Sequence, residues 1–379
     1  MTLPDPFTIV RPAYGSGSLA DLLPSISAVL GVPGAVDVLG LDLEGIDRVA
    51  VLLVDGLGAY QMQEASLHAP ILGQWAGRTL TSGFPSTTPV SLATLGTGTP
   101  PGQHGILGFT VRRPDGSVLN HIHWGKDPDP ATWQPMPTRF ELARAAGVRS
   151  TLVTKPSFRG SGLTVACYRG TSFVGADDPQ ALSEGMLRAL SEPGIVYGYH
   201  PDLDHHGHGS GVGSPEWIAA AVGVGELISR VVAGLPAGAA LFVTADHGQL
   251  NVPADGRLDL AADPVLAAGV VGVAGEPRMR HLHVAPGAGA DVAAAYRAVL
   301  GQNGLVMTRE EAVASGLFGA VSPGHRERIG DVVVACLGTT VLTAGGWEPP
   351  SVAKLVAYHG SLTAIEMTVP LLSFVAGPR

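Results

Sequence analysis

RVAVLLVDGLG, residues 48–58, carries the strongest secondary-structure signal in the sequence. The run is apolar and rich in β-branched residues until an aspartate and a glycine follow it. Such a strand is typical of a parallel sheet that is covered by helices on both faces. Asp55 would then lie at the carboxyl edge of the sheet, where α/β proteins place their ligands. The alternative is an aspartate that only opens a turn before Gly56.

Three more segments read as buried strands, and helix-like stretches lie between them. The strands are predicted at 150–154, 194–200 and 239–248, and the helices at 18–31, 139–147, 179–190 and 215–235. This alternation predicts a doubly wound α/β fold, with a mostly parallel sheet and helices on both faces.

Two regions interrupt the alternation. Residues 110–138 are rich in turn residues and tryptophan, which indicates a cap segment over a site. Residues 249–357 are expected to form a smaller inserted α+β lobe, with strands at 278–286 and 330–337 and a helix at 290–301. We therefore expect a single catalytic domain over residues 1–379 that carries this insertion.

Composition and charge exclude several classes of protein. Of the 379 residues, 45% are hydrophobic and 15% are charged, so a large core is expected and disorder is not. The net charge is −9 and there is no run of lysine and arginine, which argues against a nucleic-acid or anionic-membrane surface. Two cysteines, Cys167 and Cys336, provide neither a disulfide framework nor a thiolate cluster. The start of the chain lacks the pattern of a secretory signal and no apolar run reaches the length of a membrane span, so a cytoplasmic protein is expected.

Asp246 and His247 follow an apolar strand in the segment TADHGQ. Beyond the end of a strand both side chains can turn into one cleft, and Asp with neutral His suits Zn²⁺ or a similar divalent ion. A histidine that only closes a turn is the alternative. His359, in YHGSL, becomes a candidate ligand only in combination with such a site.

The segment YHPDLDHHGHGSG has two aspartates and three histidines within seven residues. A solvated loop rarely concentrates so many ligand types, so metal binding is favoured. Asp202 with His206 and Asp204 with His208 have the same spacing. We prefer Asp204 with His208, because Gly207 would let the backbone bend just before the ligand. The neighbouring histidines, His205 and His206, are then expected behind the ligands or at the surface.

The nucleophile candidate lies in SGFPSTTPVSLATLGTGTPPGQHG, residues 82–105. Thr87 and Thr88 precede Pro89, and PVSLATLG predicts a short helix with proline in its first position and a threonine cap. Thr88 is therefore either a cap or a nucleophile, because a helix N-terminus also favours phosphate and a developing alkoxide. A metal ion nearby could lower the pKa of its hydroxyl.

In this order, the segments resemble the alkaline phosphatase superfamily, and within it the nucleotide pyrophosphatase/phosphodiesterase (type I phosphodiesterase) family. The matching pieces are VDGLG, FPSTTPVSLATLGTGTPPGQHGI, DHHGHGSG, TADHG and YHGS. The resemblance implies two divalent metal ions, zinc or manganese, with a threonine nucleophile beside them. The implied ligands are Asp55, Asp246 and His247 for one ion, and Asp204, His208 and His359 for the other. Thr88, the implied nucleophile, is expected to contact the metal site as a further ligand.

The resemblance also ranks the two threonines. The family's nucleophile lies sixteen residues before the histidine of a P-x-x-HG turn, and counting back from His104 leads to Thr88. Aligning Pro89 with the family's T-x-P-N signature would select Thr87 instead.

The implied activity is the hydrolysis of a small-molecule phosphate ester or nucleotide-like substrate through a phospho-threonine intermediate. A phosphodiesterase or nucleotide pyrophosphatase is the first expectation. A phosphomonoesterase or phosphonate hydrolase is the second, and an inactive metal-binding protein is the third. The chain lacks two asparagines that the nucleotide-cleaving members carry, one in the threonine signature at 88–91 and one after HGI at 107–109.

The residues that would contact the rest of the substrate are less defined. Aromatic candidates are Phe109, Trp124 and Trp133, with burial in the core as the alternative. Basic residues in or near the cap, with a solvated surface charge as the alternative, are Lys126, Lys155, Arg159 and Arg169.

Overall fold

The computed structural model describes residues 3–41 and 43–377. Its α-helices are α1 Leu19–Val29, α2 Ala59–Ser66, α3 Thr88–Thr97, α4 Pro101–His104, α5 Pro130–Trp133, α6 Arg139–Ala145, α7 Gly162–Tyr168, α8 Pro179–Ala189, α9 Asp202–Ser210, α10 Pro215–Ala233, α11 Pro264–Ala267, α12 Gly289–Leu300, α13 Arg309–Ala314 and α14 Ala364–Met367. Short 3-10 helices lie at Pro70–Gln74, Pro156–Phe158, Ala254–Gly256, Gly301–Asn303, Pro323–Arg328 and Val352–Lys354.

The strands, in chain order, are β1 Arg48–Val54, β2 Thr79–Thr81, β3 Thr110–Arg112, β4 Val118–Asn120, β5 Ser150–Thr154, β6 Ser172–Gly175, β7 Gly194–His200, β8 Ala239–Thr244, β9 Leu250–Asn251, β10 Arg257–Asp259, β11 Val270–Glu276, β12 Met279–Val284, β13 Gly304–Thr308, β14 Val332–Cys336, β15 Val341–Thr343, β16 Ala357–Tyr358, β17 Thr368–Pro370 and β18 Leu372–Val375.

The central sheet has the order β18-β8-β1-β7-β5-β6. Strand β1 runs parallel to β7 on one side and to β8 on the other, and only β18, at the edge, is antiparallel to its neighbour. Every residue of β1 is buried, as its unbroken apolar run predicts for a strand that is covered on both faces.

Two groups of helices cover this sheet. Helix α10 packs against α2 and α8, while α3 packs against α1, α6 and α7. The prediction of a doubly wound α/β fold with a mostly parallel sheet is confirmed. No helix among the described residues is long and apolar enough to cross a bilayer.

A second sheet lies between β9 and β16 in the sequence. It is four-stranded and antiparallel, with the order β11-β12-β14-β13, and it has a hydrophobic cluster of its own with α12. The strands and the helix predicted in this region are present as β12, β14 and α12. Strand β9 pairs with β16, so the chain leaves the central fold and returns to it at the same place.

Candidate active site

Three aspartates meet at the carboxyl edge of the central sheet. Asp55 follows β1, Asp246 follows β8, and Asp204 lies in α9, which follows β7. Asp55 is 3% exposed, Asp246 is fully buried, and the side chain of Asp204 is 15% exposed. Burial raises the pKa of all three carboxyls, and repulsion from Asp246 and Asp204 raises that of Asp55 further. None of the three forms an ion pair with a lysine or arginine of the described residues, so no permanent positive charge of these residues compensates the carboxylates.

The first cluster of ligand-type atoms consists of Asp55, Asp246 and His247. His247 Nε2 lies 3.5 Å from Asp55 Oδ1 and 3.2 Å from Asp246 Oδ2. These two carboxylate oxygens are buried and have no hydrogen-bond partner among the described residues. Orphaned buried oxygens beside an imidazole nitrogen fit a divalent cation.

The second cluster contains Asp204 and His359. Their ligand atoms and one of His247 lie within 4.8 Å of one another. We nevertheless favour His208 as their partner, because its Nε2 lies 3.3 Å from Asp204 Oδ2 and 3.2 Å from His359 Nε2. The rings of His247 and His359 are stacked with their centroids 3.5 Å apart, so the two clusters form one continuous site.

The three histidines are held in the orientation that metal ligands need. The Nδ1 atoms of His208, His247 and His359 donate to backbone carbonyl oxygens, those of Ala357, Gly248 and Ser86. Each Nε2 therefore presents its lone pair to the site. Burial lowers the pKa of His247, and burial together with the neighbouring histidines holds that of His359 well below its usual range, so both rings are neutral.

The histidine-rich segment is a helix, α9, and not the predicted loop. Asp204 and His208 lie side by side, but the bend expected at Gly207 is absent, because Gly207 lies inside α9. Asp204 and His208 face the same site because residues four apart share a helix face. Asp202, in the rejected register, instead forms a salt bridge of 2.7 Å with Lys155.

Gly207 serves a different purpose from the predicted one. A Cβ atom at this position would lie 1.9 Å from Gln249 Oε1, so any larger residue would displace the Gln249 amide from where it lies. Gln249 Nε2 in turn donates to the carboxylate and to the backbone oxygen of Asp204. Of the other two histidines, His205 is exposed and His206 is half-buried, in agreement with their predicted peripheral role.

Thr88 lies at the start of α3 and points into the metal-ligand cluster. The helix begins one residue earlier than predicted, so Thr87 takes the N-cap position, Thr88 the first helical position and Pro89 the second. The alternative of Thr88 as a cap is therefore wrong. Its Oγ1 lies 3.2 Å from His247 Nε2. Thr87 is fully buried and lies toward Glu276 of the second sheet, whose pKa burial raises to about 8 against the opposing effect of the Thr87 hydroxyl.

Several supporting residues carried no recognisable sequence signal. The hydroxyl of Tyr199 donates to Asp55 Oδ2, and Ser82 Oγ donates to the backbone oxygen of Asp246 at 2.6 Å. Strand β7 could have pointed to Tyr199, because alternate residues of a strand that ends at the site face the same side.

A cleft with two arms opens from the Thr88 site. The aromatic arm has a volume of about 600 Å³ and includes Ile122, Leu152, Phe158, Leu163, Tyr168 and Tyr199. The lobe arm has a volume of about 390 Å³ and includes Thr110, Asn120, Val273, Glu276, Arg280, Trp347 and Glu348. Both arms share Phe109, His123, His208, Leu355 and His359.

The structure corrects the predicted aromatic contacts. Phe109 lines both arms, but Trp124 and Trp133 line neither. Trp133 is buried beneath the guanidinium of Arg328, at 3.6 Å from its ring centre. The aromatic arm is formed instead by Phe158 and Tyr199, whose ring centres are 6.0 Å apart.

None of the basic candidates in or near the cap lines either arm. Lys155 is paired with Asp202, Arg169 with Glu141, and Arg159 covers the ring of Phe173. Among the described residues that line the two arms, the only lysine or arginine is Arg280, which pairs with Glu348 at 2.7 Å.

A buried ion pair fixes the loop of His359 to the second sheet. Glu366 accepts from Arg278 Nε at 3.0 Å and from Nη2 at 2.6 Å, and both side chains are fully buried. Glu366 also accepts from the backbone N–H of Ser361, two residues after His359, at 3.0 Å. The pair therefore positions a candidate ligand from a distance.

We expect Glu366→Gln to lower the free energy of unfolding by about 3–5 kcal/mol, because it leaves the buried Arg278 charge without its partner. Urea denaturation measures this change. Glu310→Gln is the matched control, since Glu310 is 69% exposed in its pair with Arg326 and should contribute no more than about 1 kcal/mol. Equal effects of the two substitutions would contradict a structural role for the buried pair.

The fold and this site define a metal-dependent hydrolase of the alkaline phosphatase superfamily. The chain belongs to the type I phosphodiesterase / nucleotide pyrophosphatase family, whose model matches residues 49–362. The family resemblance inferred from the motifs is confirmed, and the protein is an enzyme that hydrolyses phosphoric esters. A comparison with curated proteins gives no significant match.

Solved structures of two enzymes are similar in fold. Murine ectonucleotide pyrophosphatase / phosphodiesterase 5 aligns with a TM-score of 0.68 at 17% identity, over 86% of this chain and 87% of that chain. An inactive form of the same murine protein, solved in complex with AMP, aligns with a TM-score of 0.67 at 16% identity, over 86% and 87% of the two chains. Phosphonoacetate hydrolase from Sinorhizobium meliloti 1021, in complex with phosphonoacetate, aligns with a TM-score of 0.66 at 20% identity, over 88% and 91%.

Proposed function

We propose that this enzyme is a phosphodiesterase or pyrophosphatase that acts through a phospho-threonine intermediate on Thr88. The observation that carries the proposal is the contact between Thr88 Oγ1 and His247, within a cluster of three carboxylates and three histidines. A hydroxyl in such surroundings fits a nucleophile that a bound cation activates.

The residues present fit two divalent ions, zinc or manganese. Asp55, Asp246 and His247 would hold one ion, and Asp204, His208 and His359 the other. When bound, the ions would supply Lewis-acid stabilisation of the phosphoryl oxygens and lower the pKa of the attacking hydroxyl. The carboxylate oxygens without partners and the fixed Nε2 lone pairs support this assignment.

The residues of the chain would perform the transfer itself. Thr88 Oγ1, after losing its proton to solvent, would form a bond to phosphorus while the bond to one ester oxygen breaks and the first alcohol leaves. Water would then cleave the bond between phosphorus and Thr88, which releases the monoester and restores the hydroxyl. The N-terminus of α3 favours negative charge on the transferred group, because its first N–H groups have no partner within the helix. Tyr199 would keep Asp55 oriented through its hydrogen bond to Oδ2.

The two arms of the cleft favour a diester over a monoester. A diester carries a substituent on either side of phosphorus, and the two arms meet at His208 and His359. A diester has one negative charge, whereas a monoester has nearly two at neutral pH. Three carboxylates already cancel three of the four charges of two divalent ions, and Arg280 is committed to Glu348. The site is therefore better matched to a single negative charge.

The surroundings of the cleft support further parts of the proposal. We propose that residues 110–138 act as a cap, since Phe109, Thr110 and Asn120 line the lobe arm beside it. We also propose that residues 249–357 are an inserted lobe of a single catalytic domain. The aromatic arm suits a planar substituent, which Phe158 and Tyr199 can contact through their rings.

The second candidate is a phosphonate hydrolase or phosphomonoesterase, and the fold similarity to phosphonoacetate hydrolase favours it. A small dianionic or carboxylated substrate, however, would need a cationic side chain within the cleft. Neither arm offers one that is not already paired, among the residues the structure describes. We therefore rank this candidate second.

We expect the metal-loaded enzyme to prefer bis(p-nitrophenyl) phosphate over p-nitrophenyl phosphate by at least about 100-fold in kcat/KM, because the second aryl group gains apolar contacts worth about 3 kcal/mol. Release of p-nitrophenol measures both rates. A Thr88→Ala sample purified in parallel gives the background of contaminating phosphatase. A preference for the monoester would overturn the diesterase proposal and favour the second candidate.

A further inference from the structure

A third cavity, of about 420 Å³, lies between the segment that follows β3 and the lobe. The β3–β4 hairpin contributes to two cavities, since Thr110 and Val118 line the lobe arm while Arg112 and Arg113 line this one. The remaining charged or polar lining comes from His283, Arg309, Glu327, Arg328 and Asp331. This cavity shares no lining residue with either arm of the active-site cleft.

Both carboxylates that line the cavity are already paired. Arg309 Nη1 lies 3.1 Å from Glu327 and its Nη2 lies 2.8 Å from Asp331. Arg113 finds its partner outside the cavity lining, in Asp127 at 2.9 Å. These pairs leave two of the four guanidinium groups without a carboxylate.

Those two groups are Arg112 and Arg328. Arg112 forms no ion pair with any residue that the structure describes, nor does Arg328. Among the described residues, Arg328 donates to the carbonyl oxygens of Gly105 and Trp133 alone, at 2.7 and 2.9 Å, and it covers the Trp133 ring. Burial lowers its pKa to about 10, as expected for a cation whose charge is poorly compensated.

A buried histidine provides a second, independent observation. His283 is 3% exposed, lines the cavity, and its Nε2 has no hydrogen-bond partner within the described chain. Burial and the charges of Arg112 and Arg309 lower its pKa to about 4, although Asp331 opposes them. A neutral ring whose nitrogen lacks a partner can donate to an incoming oxygen, and an anion there would satisfy the histidine and both arginines.

We propose that this cavity is a second binding site for a small molecule bearing a phosphate group, held by Arg112, Arg328 and His283. Guanidinium groups are well suited to phosphate oxygens, because their N–H donors match the oxygen geometry. The cavity volume exceeds that of inorganic phosphate, so there is room for an organic substituent. The Pro114 and Trp133 side chains supply an apolar wall for it.

The test is calorimetric titration of the metal-loaded enzyme with inorganic phosphate and with phenylphosphonate. We expect one site besides the active site, and we expect Arg112→Gln to weaken it about 10-fold, the loss of one charge-assisted hydrogen bond. Arg149→Gln is the matched control, because it removes the same charge from a surface position that is 68% exposed. The Arg112 side chain makes no hydrogen bond or ion pair to the described residues, and the backbone pairing of β3 with β4 does not depend on it, so its replacement should leave the fold intact.

Inhibition of diester hydrolysis separates this site from the active site. Both variants should keep the wild-type kcat/KM and the wild-type inhibition constant of phosphate. Tighter binding of phenylphosphonate than of phosphate would identify an organic phosphate as the ligand type, and equal binding would identify free phosphate. The proposal fails if wild-type enzyme binds phosphate only where it inhibits, or if the two variants weaken binding equally.

Discussion

Thr88→Ala is expected to lower kcat/KM for a phosphate diester by about 10⁴-fold or more, the scale seen when a covalent nucleophile is removed. The metal content should remain that of the wild type, because Asp55, Asp204, Asp246 and the three histidines are unchanged. Steady-state kinetics and elemental analysis of the same sample measure the two quantities together. A variant that retains most of its activity would remove Thr88 from the mechanism.

Two further variants test whether the loss of activity is specific to the Thr88 hydroxyl. Thr87→Ala is the matched control, because Thr87 is the adjacent threonine and its buried hydroxyl lies toward Glu276 rather than toward His247. It should retain activity within about 10-fold, the scale of an indirect effect on positioning. Thr88→Ser should recover much of the lost activity, because it restores the hydroxyl. Mass spectrometry of enzyme that is acid-quenched during diester turnover should find one added phosphoryl group, still carrying the substituent that did not leave, on the peptide that contains Thr88.

Much of the fold could be predicted because its strands are buried on both faces. The apolar run of β1 and the similar runs of β5, β7 and β8 leave little ambiguity between strand and helix, since Pro and Gly bound them. The aspartates that follow such strands are then placed at the carboxyl edge of the sheet by topology alone. Asp55 and Asp246 could therefore be brought together from sequence.

The sequence did not predict helix α9. Its glycines and histidines have weak helix propensity, so the segment read as a loop, and only packing on its neighbours makes it helical. A spacing of four residues suits one face of a helix, but Asp202 and His206 have the same spacing as Asp204 and His208, so spacing alone could not choose between the two pairs. Which aspartate points inward depends on contacts such as that of Gly207 with Gln249, and no local pattern encodes them.

Residues that pair across a long stretch of the sequence could not be predicted either. Arg278 and Glu366 are 88 residues apart, and neither lies in a recognisable motif. The same holds for the aromatic arm, where Phe158 and Tyr199 come from different segments while the more conspicuous tryptophans are buried elsewhere. Periodicity identifies faces of single elements, but it cannot pair elements that are distant in the chain.

Asp55→Asn is expected to stabilise the metal-free protein and to weaken the metal-loaded one. In the metal-free protein, burial, Asp246 and Asp204 raise the pKa of Asp55, so this carboxyl costs stability at any pH above its unfolded pKa. A carboxyl with a raised pKa contributes stability below its unfolded value and loses it as the pH rises through the folded value. Asparagine does not ionise, so the advantage of the variant should shrink as the pH falls.

With metal bound, Asp55→Asn should be less stable than the wild type, because the Asp55 charge that repels Asp246 also attracts a divalent ion. Asp55→Asn should lose bound metal and at least about 100-fold in activity, and the stabilisation that metal gives to the wild type should fall with its affinity. Calorimetric melting of the variant and the wild type, with and without chelator, measures which protein is more stable in each state. Asp255→Asn is the control, since Asp255 is exposed and outside the cluster, and it should shift neither. If Asp55→Asn is less stable than the wild type in both states, the carboxylates do not repel one another in the metal-free protein. The cation site proposed here would then be wrong.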